Sequence, residues 1–132
     1  MRYQTSAKDS VRLLADRTTE VARKPDIVAS LRLLELCERL CVAALRESLE
    51  PHEHSLGAHH RLDHRAPIPI GAPLAITACC TVAAPPYSEW DVYVHDGHKT
   101  VGRATLGFIV VDHDEFERQC RRSTTLQFTV GI

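Results

Sequence analysis

A helix-forming stretch carrying Ser30 and Glu38 is followed at fixed steps by Ser55-Leu56-Gly57, His64 and Gly71. A hydroxyl, a carboxylate, an imidazole and a backbone amide beside glycine are the usual parts for attacking a polarised carbonyl. Together they supply a base or nucleophile, a proton carrier and a donor to the oxygen that gains charge. Each also has an ordinary role. Serine readily caps a helix start, which would account for Ser30. Glu38 could pair with Arg39 or Arg46 on a solvated face. Its helical neighbours Leu34, Cys37, Cys41 and Leu45 are apolar, however. A carboxylate on such a face is either partnered or raised in pKa, as a general base requires.

The elements that must position these residues follow from hydrophobic spacing. From Asp26 to about Leu49, Ile27, Leu31, Leu34, Cys41, Leu45 and Leu49 recur at three- and four-residue steps, with Asp26 or Ser30 available as cap. Leu33, Leu36, Leu40, Ala43 and Ala44 add apolar residues on other faces, so the helix is expected to lie inside a wrapping structure. Residues 55–65, 73–84, 87–95 and 100–111 then read as strands with period-two patterning, joined by Pro67 to Gly71, Pro85-Pro86 and Asp96-Gly97-His98. Residues 2–14 read as a short extended stretch ahead of the helix. Residues 112–122 read as a short helix capped by Asp112 or Asp114. Residues 1–122 form one domain, and residues 123–132 read as a tail, either a further strand or a loosely held end. One long helix followed by four antiparallel strands is an α+β domain in which the sheet curls around the helix.

The chain has 132 residues and a formal net charge of −1, which gives it no general pull toward nucleic acid or an anionic membrane surface. The N-terminal MRYQTSAKDS lacks an apolar targeting core, and no apolar run could span a bilayer, so a cytoplasmic location is expected. The five cysteines are odd in number and lack a disulfide-scaffold spacing. Reduced, mostly buried thiols are expected, with Cys79 and Cys80 on opposite faces of a strand. Cys37 and Cys41 sit mid-helix on an apolar face and read as core packing rather than nucleophiles. His52-x-His54 and His60-x3-His64 invite a metal reading, but four extended residues span about 13 Å and no ligand-spaced cysteine pair accompanies them. No metal and no cofactor are expected. His60 and His64 do share a strand face. Arg61, Arg65, Arg103 and Lys99 suit either a phosphate contact or an ordinary charged surface.

The chain resembles the hotdog-fold thioesterases, and most closely the fluoroacetyl-CoA thioesterase-like branch. The resemblance runs from about Val11 to Arg122. It rests on Val11-Arg12, Pro25, Ala29-Ser30, Glu38, Leu49-Glu50-Pro51, Ser55-Leu56-Gly57, His64, Ala66, Pro69, Gly71, Trp90, His95-Asp96-Gly97 and Gly102. It implies a hotdog fold, a curled antiparallel sheet around a central helix of about residues 26–49, assembled as a homodimer or higher. It also implies hydrolysis of an acyl-CoA or acyl-carrier-protein thioester, with Ser30, Glu38 and His64 catalytic and Gly57 contacting the substrate carbonyl. Glu38 would be nucleophile or general base. Three departures stand out. Serine occupies a position where the branch often has threonine. Glu20 to Ala29 carries no aromatic residue, with Val21 and Lys24 where fluoroacetyl-selective members place lid phenylalanines. Thr105-Leu106-Gly107-Phe108 replaces more polar residues. A substrate other than fluoroacetyl-CoA is therefore expected. The alternatives are a hotdog protein that binds a thioester or small molecule without cleaving it, and a dehydratase or cyclase of a biosynthetic pathway.

Geometry constrains any such site. Eight residues of regular helix rise about 12 Å, so Ser30 and Glu38 cannot touch within one straight helix. Either Ser30 precedes the helix proper, or Ser30 of one subunit meets Glu38 of the other.

Overall fold

The computed structural model describes residues 1–13 and 24–125. Five strands form one antiparallel sheet: β1 (Arg2–Gln4), β2 (Glu53–His64), β3 (Pro73–Ala84), β4 (Tyr87–His95) and β5 (Thr100–Asp112). Helix α1 (Ser30–Arg46) lies on one face, and α2 (His113–Thr125) follows β5. The strand order is β1-β3-β4-β5-β2, which places β2 at one edge of the sheet among the described residues. The four long strands match the patterned segments to within two residues, because side-chain alternation and turn chemistry are local properties. In the β4–β5 turn the Asp96 carboxylate accepts from the amides of His98 and Lys99 at 2.8 Å. Gly97 there takes a φ of 97°, which a side chain would oppose. Helix α2 is capped by Asp112, whose carboxylate accepts from the amides of Asp114 and Glu115. Helical structure continues to Thr125, so the start of the proposed tail belongs to α2. Residues 126–132 lie outside the described residues.

The core is a single layer between helix and sheet. Leu33, Leu36, Cys37, Cys41 and Leu45 of α1 pack on Val92 and Val94 of β4 and Ala104, Leu106 and Phe108 of β5. The helix is shorter than its apolar pattern and is not enclosed. Leu31 is 69% exposed, Ala43 and Ala44 are exposed, and Leu40 and Val42 are half-buried. One sheet face can cover only one helical stripe, so the remaining apolar positions face outward. The thiols divide similarly. Cys37 and Cys41 are buried, and burial pushes them up to about 11 and about 12, as inert core thiols. Cys79, Cys80 and Cys120 are exposed, contrary to the expectation of mostly buried thiols. Cys79 and Cys80 lie toward the uncovered end of β3, and Cys120 is on α2.

The start of α1 is held by the N-terminal segment. Strand β1 pairs with β3, and turns at Ala7–Asp9 and Val11–Leu13 carry the chain past the helix entrance. The Asp9 carbonyl accepts from the Ala29 amide, the Ile68 carbonyl from Val28, and the Ile27 carbonyl from Val11. Asp26 accepts from the Ser10 hydroxyl and does not cap the helix. The buried Asp9 carboxylate collects Arg32 Nε at 2.7 Å, the Tyr3 hydroxyl at 2.8 Å and the Ser6 amide at 2.8 Å. This cluster ties the segment to the first turn of α1.

Candidate active site

Ser30 is the first residue of α1, and the cap position before it is Ala29. The serine hydroxyl is therefore not engaged as a helix cap. It turns sideways instead, with Oγ 2.8 Å from Nδ1 of His64 at the end of β2. His64 Nε2 is buried and meets no hydrogen-bonding group among the described residues. Burial pushes the imidazole below its ordinary pKa, with the Ala66 backbone opposing in part. His64 is thus neutral at pH 7 and able to take a proton. If it serves as a base in turnover, the acid limb of kcat/KM against pH should fall below 6.5, the unperturbed histidine value, and His64→Gln should abolish that limb. An acid limb at or above the ordinary value would contradict a neutral, desolvated His64.

Glu38 lies two turns further along α1, on the rim of the buried stripe formed by Cys37, Cys41 and Leu45. Its partner is neither Arg39 nor Arg46. His60 Nε2 approaches Glu38 Oε2 at 3.4 Å, with side chains 32% and 42% exposed respectively. The His60 ring also occupies the space beside Gly57. A Cβ at position 57 would meet ring atoms Cε1 and Nε2 at 2.9 and 3.0 Å, with Glu38 Oε1 at 3.9 Å. Only glycine leaves room for that ring.

A β-bulge places these residues together. In β2, Gly57 opposes Phe108, His59 opposes Gly107 and His60 opposes Leu106, so the register shifts at Ala58. The extra residue reverses the alternation. Gly57, His60, Leu62 and His64 all turn toward α1 as a result. The shared face of His60 and His64 holds, but His60 meets Glu38 rather than a metal-binding partner. It is the site neighbour that sequence reasoning left without a role; a bulge leaves no local signature beyond the glycine itself.

The four predicted residues thus form two groups. Ser30 meets His64 at the start of α1, and Glu38 meets Gly57 and His60 about 12 Å further along the helix axis. Because Ser30 is within the helix, an irregular helix start does not bring it to Glu38. Arg61 and Arg103 converge on the opposite sheet face, where Asp63 and Asp91 lie at 3.8 and 3.3 Å. They do not line this site. Other histidines have separate partners: His54 Nε2 is 2.8 Å from His113 Nδ1, and His95 Nδ1 accepts from the Gly97 amide.

A curled antiparallel sheet with one long helix packed on its concave face is the hotdog fold, and the hydroxyl, imidazole and carboxylate on its inner side suit acyl transfer. Comparison with known proteins agrees on the fold and gives a thioester-hydrolysing family. The chain belongs to the fluoroacetyl-CoA-specific thioesterase family, which it matches over residues 12–114. It is 31% identical to the fluoroacetyl-CoA thioesterase of Streptantibioticus cattleyicolor over 115 residues, covering 87% of this chain and 83% of that protein. The solved structure of a fluoroacetyl-CoA thioesterase superposes with a TM-score of 0.83 at 29% identity, covering 92% of this chain and 90% of the other. A threonine-to-serine variant of such an enzyme in complex with acetyl-CoA gives 0.83 at 30% identity over 94% and 93%. A hot-dog-like protein from Thermanaerovibrio acidaminovorans shares the fold, with a TM-score of 0.80 at 19% identity over 98% and 90%.

Proposed function

We propose that the protein hydrolyses an acyl thioester of coenzyme A or of a carrier protein at a site shared between two copies of the chain. The observation that carries this reading is the Ser30–His64 contact at 2.8 Å, preassembled on the inner face of a thioesterase-family fold. Glu38 acts on the thioester, either attacking the carbonyl carbon or deprotonating a water that does so. The Gly57 amide contacts the carbonyl oxygen, and His64 exchanges protons with Ser30 close to the reacting centre. Water is consumed, and an acid and a free thiol are released.

The separation of the two groups along α1 argues for a dimer. Strand β2 has twelve residues, carries the site-facing positions and stands at the edge of the sheet among the described residues. Antiparallel pairing across that edge reverses the strand, so the His64 end of one copy runs beside the Gly57 end of the other. The outward apolar positions of α1, Leu31 among them, would gain cover in the same step. A two-fold arrangement then completes two equivalent sites.

The acyl group is expected to differ from fluoroacetyl. Lys24 is exposed, and residues 24–29 bring no aromatic ring to the entrance of α1. Val21, the other lid position, lies outside the described residues. The test is thiol release from a panel of short-chain, branched and aromatic acyl-CoAs, fluoroacetyl-CoA included. Saturable release above the spontaneous rate is expected for at least one non-fluorinated member. Binding of the panel with no release above background would favour the non-hydrolytic alternative.

A further inference from the structure

We propose that His60 is a positioning residue for Glu38, orienting the carboxylate so that one oxygen faces the substrate carbonyl. The proposal rests on Glu38 being the group that acts on the thioester, and it adds a residue outside the Ser30, Glu38, Gly57 and His64 set.

Three observations converge on it. First, the pairing distinguishes the two carboxylate oxygens. Oε2 faces His60 Nε2 at 3.4 Å, whereas Oε1 faces the Cβ direction of Gly57 at 3.9 Å. A carboxylate held at one oxygen loses a rotational freedom that it would otherwise lose on reaching the transition state. Second, two local features of β2 are needed for the contact. The bulge at Ala58 turns His60 inward, and Gly57 leaves the space its ring occupies. Without the bulge His60 would point to the other sheet face; with any side chain at 57 the ring would have to move. Third, among the described residues His60 is the ion-pair partner of Glu38, although Arg39 and Arg46 share its helix. The choice of imidazole has a chemical consequence. A guanidinium would hold a permanent positive charge against the carboxylate and weaken it as base or nucleophile. An imidazole carries no such permanent charge, and its ring N–H can still face the carboxylate.

The experiment measures kcat and KM for wild type, His60→Ala, His60→Gln, Glu38→Ala and Glu38→Ala/His60→Ala, using the best acyl-CoA of the panel. Glutamine places an amide N–H near the position of Nε2 and should restore the orienting contact. His60→Ala is expected to lower kcat by roughly 10- to 100-fold, with KM changed less than about threefold. His60→Gln should recover most of that loss. In the Glu38→Ala background, removal of His60 should cost nothing further, because the group it orients is gone. Unchanged kcat in His60→Ala, an equal loss in His60→Ala and His60→Gln, or a further loss in the double variant would each overturn the proposal. An inactive Glu38→Ala alongside a fully active His60→Ala would remove only the role of His60. Equal turnover by wild type and Glu38→Ala would instead remove the reading of Glu38 itself. Thermal unfolding of His60→Ala should match wild type, since the side chain is a third exposed on an edge strand, and this separates positioning from folding.

Discussion

Glu38→Ala should reduce acyl-thioester hydrolysis by roughly 10³-fold, the scale of losing a positioned base or nucleophile, while CoA-ester binding persists. The carboxylate contributes little to the fold. Its side chain is 42% exposed and its one ion-pair contact is an exposed histidine at 3.4 Å, so the variant should unfold at nearly the wild-type temperature. The expected signature is a collapse of kcat with KM little changed, as when an interaction made in the transition state is removed. The same variant tests the shared site. Ser30→Ala is expected to be impaired at the start of α1, about 12 Å from Glu38 along the helix axis. If each site takes Ser30 and His64 from one chain and Glu38 from the other, subunit exchange between the two variants rebuilds an intact site. Random exchange makes half the dimers mixed, with one intact site in each, so about a quarter of wild-type activity should return. No recovery after demonstrated exchange would place all four residues in one chain or remove Ser30 from the reaction.

The second large effect is expected at Asp9, far from the chemistry. Its carboxylate is buried and receives three donors, from Arg32, Tyr3 and the Ser6 amide. Alanine would leave Arg32 without its buried partner and two further donors unsatisfied. Removing one member of a buried pair typically costs 3–5 kcal/mol, and Arg32 is 18% exposed, so a loss of about 3 kcal/mol is appropriate. At this chain length that corresponds to a fall in Tm of roughly 10 °C, measurable by calorimetry. Asp9→Asn should cost nearly as much, because an amide cannot accept at both positions. The pH dependence has a defined sign. Burial alone would raise the Asp9 carboxyl, but Arg32, Ser6 and Tyr3 outweigh it and hold the group below its ordinary value of 3.8. Its contribution is therefore complete above that value and is lost as pH falls through the depressed folded-state pKa. Wild type should lose stability below about pH 4 more steeply than Asp9→Asn. Equal acid sensitivity of the two proteins would remove Asp9 as the source. The Asp9 carbonyl also holds the Ala29 amide at 2.9 Å, one residue before Ser30, so loosening this cluster should also disturb the Ser30–His64 contact.

Particular elements separate what was readable along the chain from what was not. The strands at 73–84 and 87–95 were legible to the residue, since alternation and the flanking Pro and Gly residues specify them locally. The Asp96-Gly97 turn and the Asp112 cap were legible for the same reason. The helix was legible as a helix but not in extent or cover. Leu31, Ala43 and Ala44 stay exposed within one chain, and sequence pattern cannot say whether apolar surface is buried by the same chain or by another. Ser30 and His64 were singled out by residue type and family resemblance, yet their contact depends on Ala29 taking the cap and on the N-terminal segment fixing the helix start.

By itself the sequence determined the α+β class, the four long strands and their turns, the inert core thiols and the membership in a thioesterase family. Each of these follows from short-range periodicity, turn chemistry or a match along the chain. Only the tertiary structure decided that Ser30 meets His64, that Glu38 meets His60, and that the two groups stand apart on one helix. The reason is register. A single extra residue at Ala58 changes which side chains of β2 face α1, and that shift is set by pairing with β5 some fifty residues away, not by the residues beside it.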